Sequence, residues 1–286
     1  MMRGMQNDFS RPLAVMAIVN RTPDSFYDKG KTFALDAAVA AGAAAFEAGA
    51  TIVDVGGVKF APGPAVAIED EIALVVPVVR ELALLGDVSV DTFHPAVARA
   101  AIEAGAAIIN DTTGLRDPQM ADVVADSEAR IVIAHSLATP RTQHPLPHYD
   151  DVTAEVGAFL RQRSDLALER GIPAERIIID PGHALNKNTL QTLEITRRLD
   201  EIAAIGFPLL VALSNKDFIG EALGRERDQR VAGSLAAAVF CVLHGASIVR
   251  AHNVPETVDA LRMVESILGW RVPENLVHNM RAEGND

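Results

Sequence analysis

The sequence predicts a single-domain (β/α)8 barrel. Three observations carry that prediction. Eight short apolar runs recur along the chain, each closing on polar residues at its C-terminal edge. Helix-like stretches alternate with the runs, and most of them end on glycine. The average unit, 286 residues over eight, is roughly 36 residues, the size expected of such a barrel with insertions. A parallel strand buried on both faces reads as a continuous Val/Ile/Leu run rather than an alternating one.

The runs in order are AVMAIVN (14–20), TIVDVGG (51–57), VSVDT (88–92), AIINDTT (107–113), RIVIAH (130–135), IIIDPG (177–182), LLVALSNK (209–216) and SIVRAHN (247–253). Between them the pattern predicts helices over 35–48, 68–85, 95–104, 118–125, 152–170, 190–205, 229–244 and 255–268. Glycines 49, 86, 105, 171, 206, 245 and 269 stand just past these helices, where a left-handed cap is common. "EAGAT…IVDV", "EAGAAIIND" and "HGASIVRAH" repeat the order helix, glycine, strand. A doubly wound open sheet would place a glycine-rich phosphate loop after the first strand, where this chain reads NRTPDSF.

The unit spans 1–286, with residues 1–12 as an N-terminal arm and 281–286 as a frayed tail. Two loops exceed what a barrel needs, 21–33 after the first run and 136–151 after the fifth; long loops on such scaffolds are often functional. A net charge of −12 argues against non-specific nucleic-acid binding. The longest apolar stretch, 235–243, is about half of what a membrane span requires. The start of the chain lacks a secretory core, and the one cysteine, Cys241, can form no intrachain disulfide. These features point to a cytoplasmic protein with neither nucleic-acid nor membrane partners.

The polar strand ends are Asn20, Asp54, Asp91, Asn110, His135, Asp180, Lys216, Arg250 and His252. In a barrel they meet at one rim, where the chemistry of this fold resides. Carboxylates at Asp91, Asp111 and Asp180 beside the carboxamide of Asn110 suit the N–H and C=O edge of a heterocycle. Lys216, Arg250 and His252 follow strands seven and eight, a common phosphate position. Asn20 offers a neutral oxygen to a hard cation such as Mg2+. His183 is placed to face the pocket. His144 and His148 have zinc-like spacing but sit among prolines without a third ligand.

The set NxTPDSF (20–26), DVGG (54–57), SVDT (89–92), IND (109–111), DPG (180–182), S-x-K with FIG (214–220) and R-x-H (250–252) resembles dihydropteroate synthase, in family order and over nearly the whole chain. The resemblance implies condensation of dihydropterin pyrophosphate with p-aminobenzoate, a step toward folate. It implies that Asp91, Asn110, Asp180 and Lys216 hold the pterin. Asn20, Arg250 and His252 would hold the pyrophosphate with Mg2+, and Lys216, Arg250 and His252 would carry catalysis. It also implies a homodimer, with which the apolar 235–243 stretch is compatible.

The chain departs from the family pattern at the acceptor side. Where the family reads E-S-T-R-P-G after DVGG, this chain has Val58, Lys59, Phe60 and Ala61 before the Pro-Gly. S-R-K-S has become Ser214, Asn215, Lys216, Asp217. DPG-x-GFGK reads DPGHALNK, with Leu185 at the phenylalanine position. The first loop carries Arg21, Asp24, Tyr27 and Lys29. Arg21, Asp24, Lys59, Phe60 and Ala61 therefore belong to the two loops expected to move over the site, and Arg21, Lys29 and Lys59 are the cations available to replace the lost guanidinium groups. The expectation is a pterin-binding paralogue with weak or absent synthase activity. An active but atypical synthase, and a pterin-dependent methyltransferase-type barrel, are the alternatives.

Overall fold

A computed structural model describes residues 13–21 and 35–278. The arm at 1–12, the part of the first loop that includes Asp24, Tyr27 and Lys29, and the tail lie outside the described residues.

Eight parallel strands form one sheet: β1 (Ala14–Asn20), β2 (Ile52–Gly56), β3 (Asp87–Asp91), β4 (Ile108–Asp111), β5 (Arg130–Ala134), β6 (Ile177–Asp180), β7 (Leu210–Ala212) and β8 (Ile248–Ala251). The order is β6-β5-β4-β3-β2-β1-β8-β7. The seam between β6 and β7 closes through a single bridge, Ile179 to Leu209, with the Ile179 N–H donating to the Pro208 carbonyl at 2.9 Å. The sheet is thus the barrel that the eight apolar runs predict.

Strand alternation splits the apolar residues into two cores. Met16, Ile52, Ile108, Val132, Ile178, Leu210, Ala212 and Ile248 fill the barrel interior. The opposite strand faces, including Val53, Val55, Val88, Val90, Ile109, Ile131, Ile133 and Ile179, pack against the surrounding helices. Bulky branched side chains on both faces are what a parallel barrel requires.

The helices are α1 (Leu35–Glu47), α2 (Ile68–Leu82), α3 (Pro95–Glu103), α4 (Gln119–Ala125), α5 (Val152–Glu169), α6 (Thr189–Arg197), α7 (Leu199–Ala203), α8 (Asp217–Leu223), α9 (Val231–Leu243) and α10 (Val254–Ile267). α5 starts on an Asp151 cap that accepts from the Ala154 N–H at 2.9 Å, and α6 on a reciprocal Asn188–Gln191 capping box.

Three features differ from the elements expected from sequence. The helix expected over 190–205 breaks at Arg198 (φ −106°, ψ 28°), whose guanidinium is shared among Asp151, Glu194 and Glu201. α8 was not expected, because a seven-residue helix with Gly220 inside carries little periodic signal. The glycines past α1, α3, α5, α7, α9 and α10 adopt positive φ; Gly86 does not, so the chain after α2 turns without a left-handed glycine there. No helix among the described residues is long and apolar enough to cross a membrane.

Candidate functional site at the barrel mouth

The strand register lines up the polar ends. Asn20 pairs with Gly56, Gly56 with Asp91, and Asp91 with Asn110, so these four positions form one layer across β1 to β4. One layer below, Ile18 pairs with Asp54 and Asp54 with Ser89. The polar residues therefore continue upward the inward-facing rows whose lower members are the apolar barrel filling.

Asp54 is fully buried and organises the layer. Its Oδ2 accepts from Arg250 Nε at 2.6 Å and from Asn110 Nδ2 at 3.2 Å. Arg250 Nη2 reaches Asp91 Oδ2 at 3.3 Å. Burial opposes the Arg250 charge, but Asp54, Asp91 and Asp180 outweigh it and raise the guanidinium's pKa further. Burial, reinforced by the Asp54 charge and only partly offset by Arg250, pushes Asp91 up to about 7. Asp54 Oδ1 and Asn110 Oδ1 are buried without a hydrogen-bond partner among the described residues. Buried acceptors without a partner are rare in folded proteins.

Asp180 stands across the mouth. Its Oδ1 accepts from the Gly182 N–H at 2.7 Å, and burial raises its pKa. Gly182 has φ +67°, and a Cβ there would lie 2.0 Å from the His135 carbonyl oxygen, so glycine is required. Behind this turn the buried Lys187 Nζ lies 2.9 Å from His135 Nδ1 and donates to the Gly182 and Leu185 carbonyls at 3.0 and 3.1 Å. Burial lowers Lys187 to about 7 and His135 to about 3, which leaves the imidazole neutral and its Nδ1 able to accept. Lys216 Nζ donates to the His183 carbonyl, and burial lowers its pKa to about 8. The His183 ring is fully buried and neutral, with neither nitrogen partnered among the described residues.

Beside Lys216 a cavity of about 380 Å³ opens, lined by Ser214, Asn215, Lys216, Arg227, Arg250 and His252 among others. The His252 backbone N–H donates to Ser214 Oγ at 3.1 Å, and its Nδ1 lies 3.2 Å from the same hydroxyl. Burial, then the charges of Arg250, Arg227 and Lys216, lower His252 to about 4. Three cations and a neutral imidazole around one cavity suit an oxyanion. Asn20 stands exposed at the end of β1, on the same rim.

The segment after β2 is held down by the loop after β5. Pro62 bridges to Arg141, whose carbonyl accepts from the Gly63 N–H at 3.3 Å. Arg141 Nε donates to the Pro64 carbonyl at 2.9 Å. His144 Nε2 lies 3.1 Å from the Phe60 carbonyl oxygen, and the two rings meet at 4.8 Å. The loop after β5 is itself docked by Asn186, whose Oδ1 accepts from the Leu137 and Ala138 N–H groups at 2.9 and 3.2 Å.

Asp91, Asn110, Asp180, Lys216, Arg250 and His252 thus come together at one mouth. Lys59, Phe60 and Ala61 lie on the clamped loop beside it. Arg21 Nη1 donates to the Leu74 carbonyl of α2 at 2.5 Å. Asp111 faces away from the mouth and ties its own loop, accepting from the Thr113 and Leu115 N–H groups, both at 2.8 Å. Lys187, Arg141, Asn186 and Arg227 are not among the residues expected at the site from sequence. Asn186 and Lys187 close the DPGHALNK motif and are legible there; Arg141 and Arg227 carry no motif.

The sequence profile described as "Pterin binding enzyme" matches residues 16–252. The "Inactive dihydropteroate synthase 2" of Mycobacterium leprae (strain TN) is 42% identical, covering 94% of this chain and 97% of that protein. The dihydropteroate synthase of Escherichia coli (strain K12) is 40% identical over 93% of this chain and 95% of its own length. Among solved structures, Xanthomonas albilineans dihydropteroate synthase with 4-aminobenzoic acid superposes with a TM-score of 0.84 at 43% identity, covering 93% of this chain and 95% of that one. An inactive relative and an active one lie at nearly equal distance, so identity alone does not separate the two readings. With the barrel, the motifs and the mouth in agreement, this chain belongs to the pterin-binding enzyme family that contains dihydropteroate synthase.

Proposed function

We propose that the barrel mouth binds a pterin bearing a diphosphate and that its transfer to p-aminobenzoate is weak or lost. A pterin ring presents N–H donors beside a carbonyl acceptor. Asp91 and Asp180 would accept from the donors, Asn110 would both donate and accept, and Lys216 would donate to the carbonyl. Arg250 and His252 would hold the diphosphate. Asn20 would share Mg2+ with the phosphate oxygens, since this ion keeps most of its waters and takes one or two protein ligands. When bound, the ion would neutralise charge on the departing diphosphate. Lys216, Arg250 and His252 are the residues proposed to stabilise that departure.

The observation that carries the loss of transfer is the clamped loop. Phe60 and Ala61 stand where the family has threonine and arginine, Phe60 packs on His144, and the loop carbonyls are taken by Arg141. An acceptor carboxylate would find neither the hydroxyl nor the guanidinium that the family pattern supplies. Removing such charge-assisted hydrogen bonds costs about 1.5–3 kcal/mol each. Exposed apolar side chains on α9 and α10, Phe240, Leu243, Met263 and Ile267, support a homodimer built on these helices.

Isothermal titration with dihydropterin pyrophosphate and Mg2+ tests the binding half. Saturable binding that Asp180→Asn weakens about tenfold or more is expected; no heat and no competition by free pterin would refute it.

A further inference from the structure

We propose that Arg227 is an oxyanion-binding residue of this chain, standing in from the turn before α9 for the guanidinium that the family pattern carries at the Asn215 position. The inference rests on the preceding reading that the cavity takes a phosphate-type group.

Asn215 is neutral and committed elsewhere. Its Nδ2 donates to Asn253 Oδ1 at 3.0 Å, and its backbone N–H donates to Ser234 Oγ at 2.9 Å. Arg227 opens the short 3-10 turn Arg227–Gln229 between α8 and α9, and it lines the same cavity as Lys216, Arg250 and His252. Burial is the main reason the His252 imidazole stays neutral, and the charge of Arg227 adds to it together with those of Arg250 and Lys216.

The turn is anchored to the loop that lost the arginine. Arg230, just past it, donates from Nη1 to the Asn215 carbonyl at 3.1 Å and to Asp217 Oδ1 at 2.8 Å, and from Nε to the Arg225 carbonyl at 3.2 Å. Arg230 thereby also occupies Asp217, the one carboxylate lining the cavity, which would otherwise repel an anion. A planar guanidinium presents paired donors to phosphoryl oxygens. Together with Lys216, Arg250 and His252 it makes a site for a diphosphate rather than for a single carboxylate.

The test is titration of inorganic pyrophosphate into the full chain at pH 7, with and without Mg2+. Arg227→Gln should weaken binding at least tenfold, and Arg227→Lys should recover part of it. Arg225→Gln removes the same charge two residues away and should change affinity less than twofold. Alongside, NMR titration of His252 should show its pKa rising in Arg227→Gln, which reports placement of the charge independently of ligand. Equal affinity in wild type and Arg227→Gln, or equal losses in the two variants, would overturn the role of Arg227 while leaving the anion site standing. Absence of pyrophosphate binding in the wild type would overturn both.

Discussion

His144 Nε2 sits 3.1 Å from the carbonyl oxygen of Phe60, a residue 84 positions earlier in the chain, and the imidazole packs on the Phe60 ring. The contact joins the loop after β5 to the loop after β2 at the site where the family pattern carries its acceptor-binding hydroxyl. His144→Ala should loosen this loop with little effect on global stability, because both residues are largely outside the core. A net hydrogen bond of about 1 kcal/mol corresponds to roughly fivefold faster opening. Hydrogen exchange at the Gly63 amide, which donates to the Arg141 carbonyl, is the readout; unchanged exchange would show that the clamp lies elsewhere.

Replacing the clamped segment should restore chemistry. The combined change Val58→Glu, Lys59→Ser, Phe60→Thr and Ala61→Arg removes the aromatic contact and returns the missing hydroxyls and guanidinium. With Asn215→Arg added, turnover with p-aminobenzoate should rise at least tenfold over the parent. A rise confined to affinity for the diphosphate, with no turnover, would place the defect outside these loops.

Oxyanion binding should weaken with rising pH before ordinary lysines titrate. Burial lowers Lys216 to about 8, so its charge is present below that pH and lost above it. Pyrophosphate affinity, followed by titration from pH 6.5 to 9.5, should decline through about pH 8. Because an anion in the site favours the charged lysine, the midpoint should move upward in the complex. Lys216→Arg should flatten the profile; an unaltered slope would remove Lys216 from the site.

Glu71 provides a pH test of the scaffold. It lies in the first turn of α2, fully buried, with neither oxygen hydrogen-bonded in good geometry among the described residues. Burial raises its pKa from 4.5 to about 7, against a partial offset from the Thr92 hydroxyl. The folded state therefore binds this proton more tightly than the unfolded chain. The protonated form contributes fully below about pH 4.5, and stability declines as pH rises from there through 7. Glu71→Gln should match the wild type near pH 4.5 and exceed it at pH 8 by about 1–3 kcal/mol in chemical denaturation. Equal stabilities at pH 8 would mean that the carboxylate is satisfied when ionised.

The strands and the residues at the mouth were legible because one pattern encodes both. Apolar runs fix the barrel, and alternation carries Asp91, Asn110 and Arg250 to the same inward rows as the filling below them. Strand ends fell short of the predicted runs where the polar residues turn out of the ladder. Less legible was everything set by contact between distant loops. Arg227 lies in a turn with no periodicity, and its place in the cavity depends on Arg230 tethering that turn to Asn215. Ala184 and Asn186 occupy positive φ at positions where the family pattern has glycine, at +62° and +49°. Sequence exposes that substitution but not the use made of Asn186, whose side chain docks the loop after β5. Asp111 misled because an acid at a strand end reads the same whether it faces a ligand or ties its own turn.

The most direct measurement is a single-turnover assay in which the protein is first saturated with dihydropterin pyrophosphate and Mg2+, then mixed with p-aminobenzoate while released pyrophosphate and pteroate are followed together. Bound pterin pyrophosphate is expected, with product formation absent or at least a thousandfold below the roughly 10 s⁻¹ typical of enzymes. Conversion of the bound ligand at an ordinary enzymatic rate would contradict the proposed loss of transfer.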